Sequence, residues 1–136
     1  MVTLRMPAKM ESLETLRSFV LQWASHCGAP HHKLPEIDLV LEELLTNVIH
    51  YGYPDEGGDV EVRCFMEGPT RFCLTIQDWG RAFDPLVRDA PCLSADVCER
   101  QVGGLGIHLV RQTADDVCYQ REEDRNVLTV CFQLER

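Results

Sequence analysis

The strongest constraint on the fold is an amphipathic helix that the sequence predicts from Glu36 to about Tyr51. Its apolar residues recur at intervals of three and four and form a stripe one helix face wide: Ile37, Val40, Leu41, Leu44, Leu45, Val48 and Ile49. Such a helix is stable in a protein only when its stripe packs against another apolar surface. The rest of the chain must therefore supply a second layer.

Segments of strand-like sequence supply that layer. Two β-hairpins are predicted, one from 60–66 and 71–78 around Glu67–Thr70 and one from 116–122 and 126–134 around Glu123–Arg125. A short strand at 2–6 and helices at 12–24 and 103–114 complete the pattern, with Gly28 as the stop of the first helix. The order β-α-α-ββ-α-ββ predicts an α+β fold, a two-layer sandwich of a mixed or antiparallel sheet with helices on one face.

Length and composition narrow the class of protein. A chain of 136 residues without repeats, linkers or low-complexity tracts predicts a single domain, 1–136. The net charge of −9 argues against nucleic-acid binding, which depends on Lys and Arg to neutralise phosphates. The sequence has no signal-peptide pattern and no apolar run long enough for a membrane span, so we expect a cytoplasmic protein that binds no membrane.

The cysteines predict neither a disulfide framework nor a zinc site. There are seven of them, an odd number, and no two are spaced as C-x-x-C. Several fall inside strand-like runs, where Cys acts as a small buried apolar residue. We therefore expect all seven to be reduced thiols.

Glu43 and Asn47 on the second helix are the first candidate site residues. They lie one turn apart and roughly 40° apart around the helix axis, at the border of the apolar stripe. A cleft could open at that border, although the same spacing is common on a solvated helix flank.

Two glycine-containing segments follow. Asp78 ends a predicted strand and could accept a hydrogen bond from a ring amino group such as that of adenine, while Gly80 lets the backbone approach a ligand; a simple turn is the alternative. Gly103, Gly104 and Gly106 stand at the mouth of a predicted helix, where successive N–H groups can face an anion. The segment is neither a Walker A loop nor a Rossmann fingerprint, and a flexible hinge is the alternative.

The combination and order of these segments are more specific than any one of them. E-x-x-x-N, then D-x-G-x-x-F-D after a strand, then G-G-x-G before a helix, resembles the N, G1 and G2 boxes of the GHKL ATPase superfamily. The strings EELLTNVIHYGY, DWGRAFDP and GGLGIHLVRQTADDVCY resemble the anti-sigma factor serine/threonine kinases of the RsbW type. The resemblance runs from about residue 10 to the end of the chain and implies a Bergerat-type ATP-binding fold.

The resemblance also implies roles for individual residues. Asn47 would ligate Mg²⁺ through its amide oxygen, Glu43 would be the general base, and Asp78 would recognise adenine with Gly80 admitting the ring. The segment 85–102 would act as a lid. The other nucleotide contacts implied are Phe83, Gly103, Gly104, Leu105, Gly106 and Thr129.

The function implied is that of an ATP-dependent kinase that phosphorylates a small antagonist of the anti-anti-sigma (STAS) type on serine. A sigma factor would be a second partner, and the protein would be a homodimer. A non-catalytic switch that binds a partner only with ATP is the alternative, favoured by Ala82, where many superfamily members have glycine, and by the short lid. A purely structural domain with a degenerate site also stays open.

Overall fold

The computed structural model of the protein describes residues 1–53, 57–82 and 105–134. Its strands are β1 (Val2–Pro7), β2 (Asp59–Glu67), β3 (Arg71–Asp78), β4 (Asp116–Glu122) and β5 (Arg125–Gln133). Its α-helices are α1 (Met10–His26), α2 (Leu34–Asn47) and α3 (Leu105–Thr113). A 3₁₀ turn at His31–Lys33 precedes α2, and a π-helical turn at Val48–Gly52 follows it.

The strands form one antiparallel sheet in the order β1-β2-β3-β5-β4. The predicted order of elements and both hairpins are confirmed, and the sheet is antiparallel at every pairing rather than mixed. The pairing of β3 with β5 joins the two hairpins, so the strand that follows α3 along the chain, β4, lies at the edge.

The helices pack on one face of this sheet. Alternate residues of the inner strands, among them Val62 and Ile76, are buried in the same core cluster as the stripe residues Leu41 and Leu44 of α2. The residues between them lie on the other face, where Thr75 is half-buried, and Cys73 and Gln77 are buried but lie outside the core cluster. One face of the sheet therefore carries the core, which confirms the predicted two-layer arrangement.

An ion pair joins the two long helices, and a glycine follows the end of the first. Arg17 on α1 forms a bidentate ion pair with Asp38 on α2, with both N–O distances 2.7 Å. Helix α1 ends just before Gly28, whose φ of +100° is the left-handed conformation expected after a helix. Among the described residues no helix has the length and apolar character to cross a membrane.

The expectation that all cysteines are reduced is wrong for one pair. Cys73 and Cys131 are direct partners in the β3–β5 register and form a disulfide, whereas Cys27, Cys64 and Cys118 are free thiols. Burial raises the pKa of the Cys64 thiol to about 12, so this thiol is unreactive. The pair could not be predicted because β3 and β5 are separated along the chain by α3 and β4.

Candidate functional site

A narrow cavity lies where the end of α2 meets the ends of the central strands. Its lining combines apolar and polar side chains from α2, the π turn, β3, β4 and β5: Leu44, Asn47, Val48, Ile76, Asp78, Tyr119, Asn126 and Leu128. The cavity volume is about 20 Å³, about the room of one water molecule. The fold thus brings together Asn47 and Asp78, which were predicted from separate segments.

Asp78 is a buried, hydrogen-bonded carboxylate of the cavity. It is only 4% exposed. Its Oδ1 accepts hydrogen bonds from the backbone N–H of Gly80 and from Nδ2 of Asn126, both at 2.9 Å. No described residue donates to Oδ2. Burial raises the pKa of Asp78, while the two hydrogen bonds and the positive charge of Arg121 act in the opposite direction. The described residues therefore hold the carboxylate through Oδ1 alone.

Asn126 is a site residue that the sequence did not reveal. It opens the second half of the last hairpin and pairs with Asp78 in the β3–β5 register. Its Nδ2 donates to Asp78 and to the carbonyl of Arg81 (2.8 Å), and its Oδ1 accepts from the Tyr119 hydroxyl and from Arg121. The available signal was a lone amide at the start of an apolar strand. That signal acquires meaning only when the strand opposite is known.

Asn47 has a different environment. It is 4% exposed, and within the described part of the chain its carboxamide has no hydrogen-bond partner. Its carboxamide lines the cavity and makes no hydrogen bond to another described residue, so a ligand in the cavity could reach it. An amide oxygen is a hard donor of the kind that Mg²⁺ accepts alongside phosphate and water. The residue fits the predicted metal role.

Glu43 lies one turn before Asn47 on α2 and is half-buried. Burial raises the pKa of its carboxyl, and the neighbouring negative charge of Glu42 raises it further. It is not among the residues that line the cavity. Its role as the general base stays a prediction.

Gly80 allows a close contact between two backbone segments, and its predicted role of admitting the adenine ring stays a prediction. A Cβ at this position would lie 2.0 Å from the carbonyl oxygen of Gly52, at the end of the π turn, and 2.7 Å from its carbonyl carbon. The missing side chain thus allows two backbone segments to touch, and Arg81 N donates to the same Gly52 oxygen. The adjacent Trp79 packs under the guanidinium of Arg5, 4.1 Å from its ring centroid.

Thr129 is not brought to the site. Strand side chains alternate between faces, and in β5 Asn126 and Leu128 line the cavity. Thr129 therefore lies on the opposite face, where it pairs with Thr75. This corrects its expected place near a base, because Asn126 is the β5 residue that reaches Asp78.

The remaining predicted site residues are Phe83, in the segment that follows β3, and four residues of the glycine-rich segment. Phe83, Gly103 and Gly104 lie outside the described residues. Leu105 and Gly106 are the first two residues of α3 and fall within the helix that was predicted over 103–114. Their roles stay predictions.

Comparison with known proteins bears directly on this arrangement. A family model described as a histidine kinase-like ATPase domain matches residues 6–132, nearly the whole chain. The chain belongs to this family. It is 26% identical to the serine-protein kinase RsbW of Listeria monocytogenes over 132 residues, covering 93% of this chain and 83% of that protein. It is 24% identical to the RsbW of Bacillus cereus, with 93% and 81% covered.

Solved structures share the fold of this ATPase domain. The SiaB–SiaC complex from Pseudomonas aeruginosa contains a chain with a TM-score of 0.71 at 15% identity, covering 97% of this chain and 89% of that one. The structure of the RsbU and RsbW domains of a Mycobacterium tuberculosis protein gives a TM-score of 0.69 at 16% identity. All of this chain is covered there, but it spans only 33% of that longer chain. At these identities the likeness is one of fold.

Proposed function

We propose that this ATPase domain binds Mg-ATP in the cavity between α2, β3 and β5 and transfers the terminal phosphoryl group to a serine of a small STAS-type antagonist protein. The observation that carries the proposal is that the carboxamide of Asn47, which makes no hydrogen bond to another described residue, lines the same cavity as the carboxylate of Asp78, of which only Oδ1 accepts hydrogen bonds from described residues. The amide of Asn47 suits a metal ion bound to phosphate, and the carboxylate of Asp78 suits the adenine ring. The similarity to serine-protein kinases named RsbW supports the choice of reaction.

Each residue contributes a separate step. Asp78 accepts a hydrogen bond from the 6-amino group of adenine through Oδ2, and Leu44, Ile76 and Leu128 supply apolar contact with the ring. Asn47 would hold Mg²⁺, and the ion would neutralise charge on the phosphates. Glu43 takes the proton from the attacking serine hydroxyl, and its raised pKa brings this base closer to neutral pH.

The cavity must widen before a base can enter, because it has the volume of about one water molecule. Tyr119 is the wall residue best placed to yield, since it belongs to the edge strand β4 and is only half-buried. Arg121 continues to hold Asn126 when the tyrosine ring moves, because its hydrogen bond to Asn126 Oδ1 is separate. Nucleotide binding thus requires an opened form of the same site.

The test is phosphoryl transfer from radiolabelled ATP to STAS-type proteins of the same organism, with and without Mg²⁺. Glu43→Gln should lower the transfer rate by roughly 100-fold or more while leaving ATP affinity nearly unchanged, as expected for loss of a general base. Glu11→Gln, at an exposed position in the first turn of α1, is the matched control and should keep wild-type activity. Transfer that survives Glu43→Gln unchanged would refute the assigned base.

The non-catalytic switch is the second candidate, favoured by the absence of Glu43 from the cavity lining. In this version ATP stabilises a partner-binding form and no phosphate is transferred. Partner capture that requires ATP, with no label on the partner, would select it. A melting temperature that does not change when Mg-ATP is added would exclude both the kinase and the switch, and would leave a purely structural domain.

A further inference from the structure

The two oxygens of Asp78 are chemically unequal, and this inequality bears on which base the site accepts. Oδ1 already receives two hydrogen bonds, from Gly80 N and Asn126 Nδ2, at 2.9 Å each. A Cβ on Gly80 would come within 3.1 Å of Oδ1, which shows how closely the backbone encloses that atom. Only Oδ2 is without a donor among the described residues.

The orientation of the Asn126 carboxamide is forced by its neighbours. Arg121 can only donate, so the atom that it contacts at 3.2 Å must be the amide oxygen. The carboxylate of Asp78 and the carbonyl of Arg81 accept, so the atom that they share must be the amide nitrogen. With Tyr119 donating to the oxygen as well, both N–H groups and both lone pairs of the amide are used. The Asn126 side chain therefore cannot rotate away from Oδ1 of Asp78 without losing several hydrogen bonds.

We infer that Asn126 determines base specificity by withholding one oxygen of Asp78, so that the site accepts a base with one donor and rejects one that needs two acceptors. The inference rests on the proposed nucleotide site. The edge of adenine offers a single donor, the 6-amino group, for which one oxygen is enough. Guanine offers a ring N–H and a 2-amino group side by side, and a carboxylate pairs with both only when both oxygens are free. Bound here, guanine leaves one donor buried without a partner.

A comparison of two nucleotides isolates the second oxygen. Inosine triphosphate has the same ring N–H as GTP and lacks the 2-amino group, so the two differ only in the donor that needs Oδ1. In the wild type GTP should bind roughly tenfold more weakly than ITP, the cost of one unpaired buried donor. Asn126→Ala removes the competing amide, and the GTP-to-ITP affinity ratio should then rise by roughly tenfold. Binding is measured by competition against a fluorescent ATP analogue.

A matched variant distinguishes the loss of the Asn126 amide from a mere gain of space in the cavity. Tyr119→Ala enlarges the same cavity by more volume and leaves Asn126 on Asp78, held by Arg121. If space alone excluded guanine, Tyr119→Ala would raise the GTP-to-ITP ratio as well; under the inference it changes the affinities of both nucleotides and not their ratio. Should Asn126→Ala not fold, Arg121→Met loosens the amide from its other side and should raise the ratio by a smaller factor.

The failure of this inference can be distinguished from that of the proposed function. A wild-type protein that binds none of ATP, GTP and ITP refutes the nucleotide site itself. A protein that binds ATP, but whose GTP-to-ITP ratio is the same in wild type and in a folded Asn126→Ala, keeps the site and overturns the role of Asn126. A ratio that rises equally in Tyr119→Ala overturns it too.

Discussion

Replacing Asp78 with asparagine should separate nucleotide binding from folding. The amide is isosteric, and its oxygen can take the place of Oδ1 and accept from Gly80 and Asn126 as before. Its NH₂ group then replaces Oδ2 and presents a donor to the 6-amino group of adenine, which is itself a donor. Loss of a hydrogen bond to a charged group should weaken ATP binding roughly 100-fold, or by about 2.7 kcal/mol.

The effect on the apo protein has the opposite sign. Burial raises the pKa of Asp78, so the folded chain holds this proton more tightly than the unfolded chain does. That contribution to stability is fully present below the unfolded pKa and is lost as pH rises through the folded pKa. Above the folded pKa the ionised carboxylate therefore costs stability. Asp78→Asn, which carries no charge, should melt at the same temperature as the wild type or slightly above it.

Thermal-shift measurements with Mg-ATP test both halves of this prediction. At an ATP concentration roughly 100 times the wild-type Kd, binding adds about 2.7 kcal/mol to stability. For a chain of this length that is a rise in Tm of about 9 °C. In Asp78→Asn the same concentration only equals the Kd, which adds about 0.4 kcal/mol and about 1 °C.

The control is the same substitution at Asp38, which pairs with Arg17 away from the cavity. Asp38→Asn should lower the Tm of the apo protein and leave the rise caused by ATP intact. A full ATP-induced rise in Asp78→Asn would refute the role of this carboxylate in base recognition. An apo Asp78→Asn protein that melts well below the wild type would refute the account of its buried charge.

Three further predictions concern the backbone contact of Gly80, the general base Glu43 and the disulfide. Gly80→Ala should destabilise the protein by about 2–3 kcal/mol in urea unfolding, because its Cβ would meet Gly52 O at 2.0 Å, and an unchanged midpoint would contradict that contact. Glu42→Gln should move the acidic limb of the pH–rate profile to lower pH, since it removes a charge that raises the pKa of Glu43, which must be deprotonated to act; a limb that stays in place would exclude Glu43 as the titrating base. Reduction with dithiothreitol should lower stability by about 4 kcal/mol, from the entropy of the loop that the β3–β5 disulfide closes, and an equal Tm in both states would show that no such bond forms.

Part of the site was predictable because the positions of its residues follow from short-range sequence patterns. The helical stripe places Asn47 on the border of a packed face, and the alternation of β3 places Asp78 at a strand end, so both positions follow from short stretches of sequence. The prediction for Thr129 failed for a related reason. Neighbouring residues of a strand lie on opposite faces, so choosing a polar residue by resemblance alone can select the wrong face.

The sequence by itself determined the elements, their order, the two-layer class and the family, because each depends on periodicity and motifs within about 15 residues. Only the tertiary structure decided that β3 pairs with β5, which sets Asn126 opposite Asp78 and Cys73 opposite Cys131. Register between distant strands follows from how the whole core packs on the helices, since a shift of one residue would turn every buried side chain outward. For that reason Asn126, the residue inferred to govern the choice of nucleotide base, emerges only from the assembled sheet.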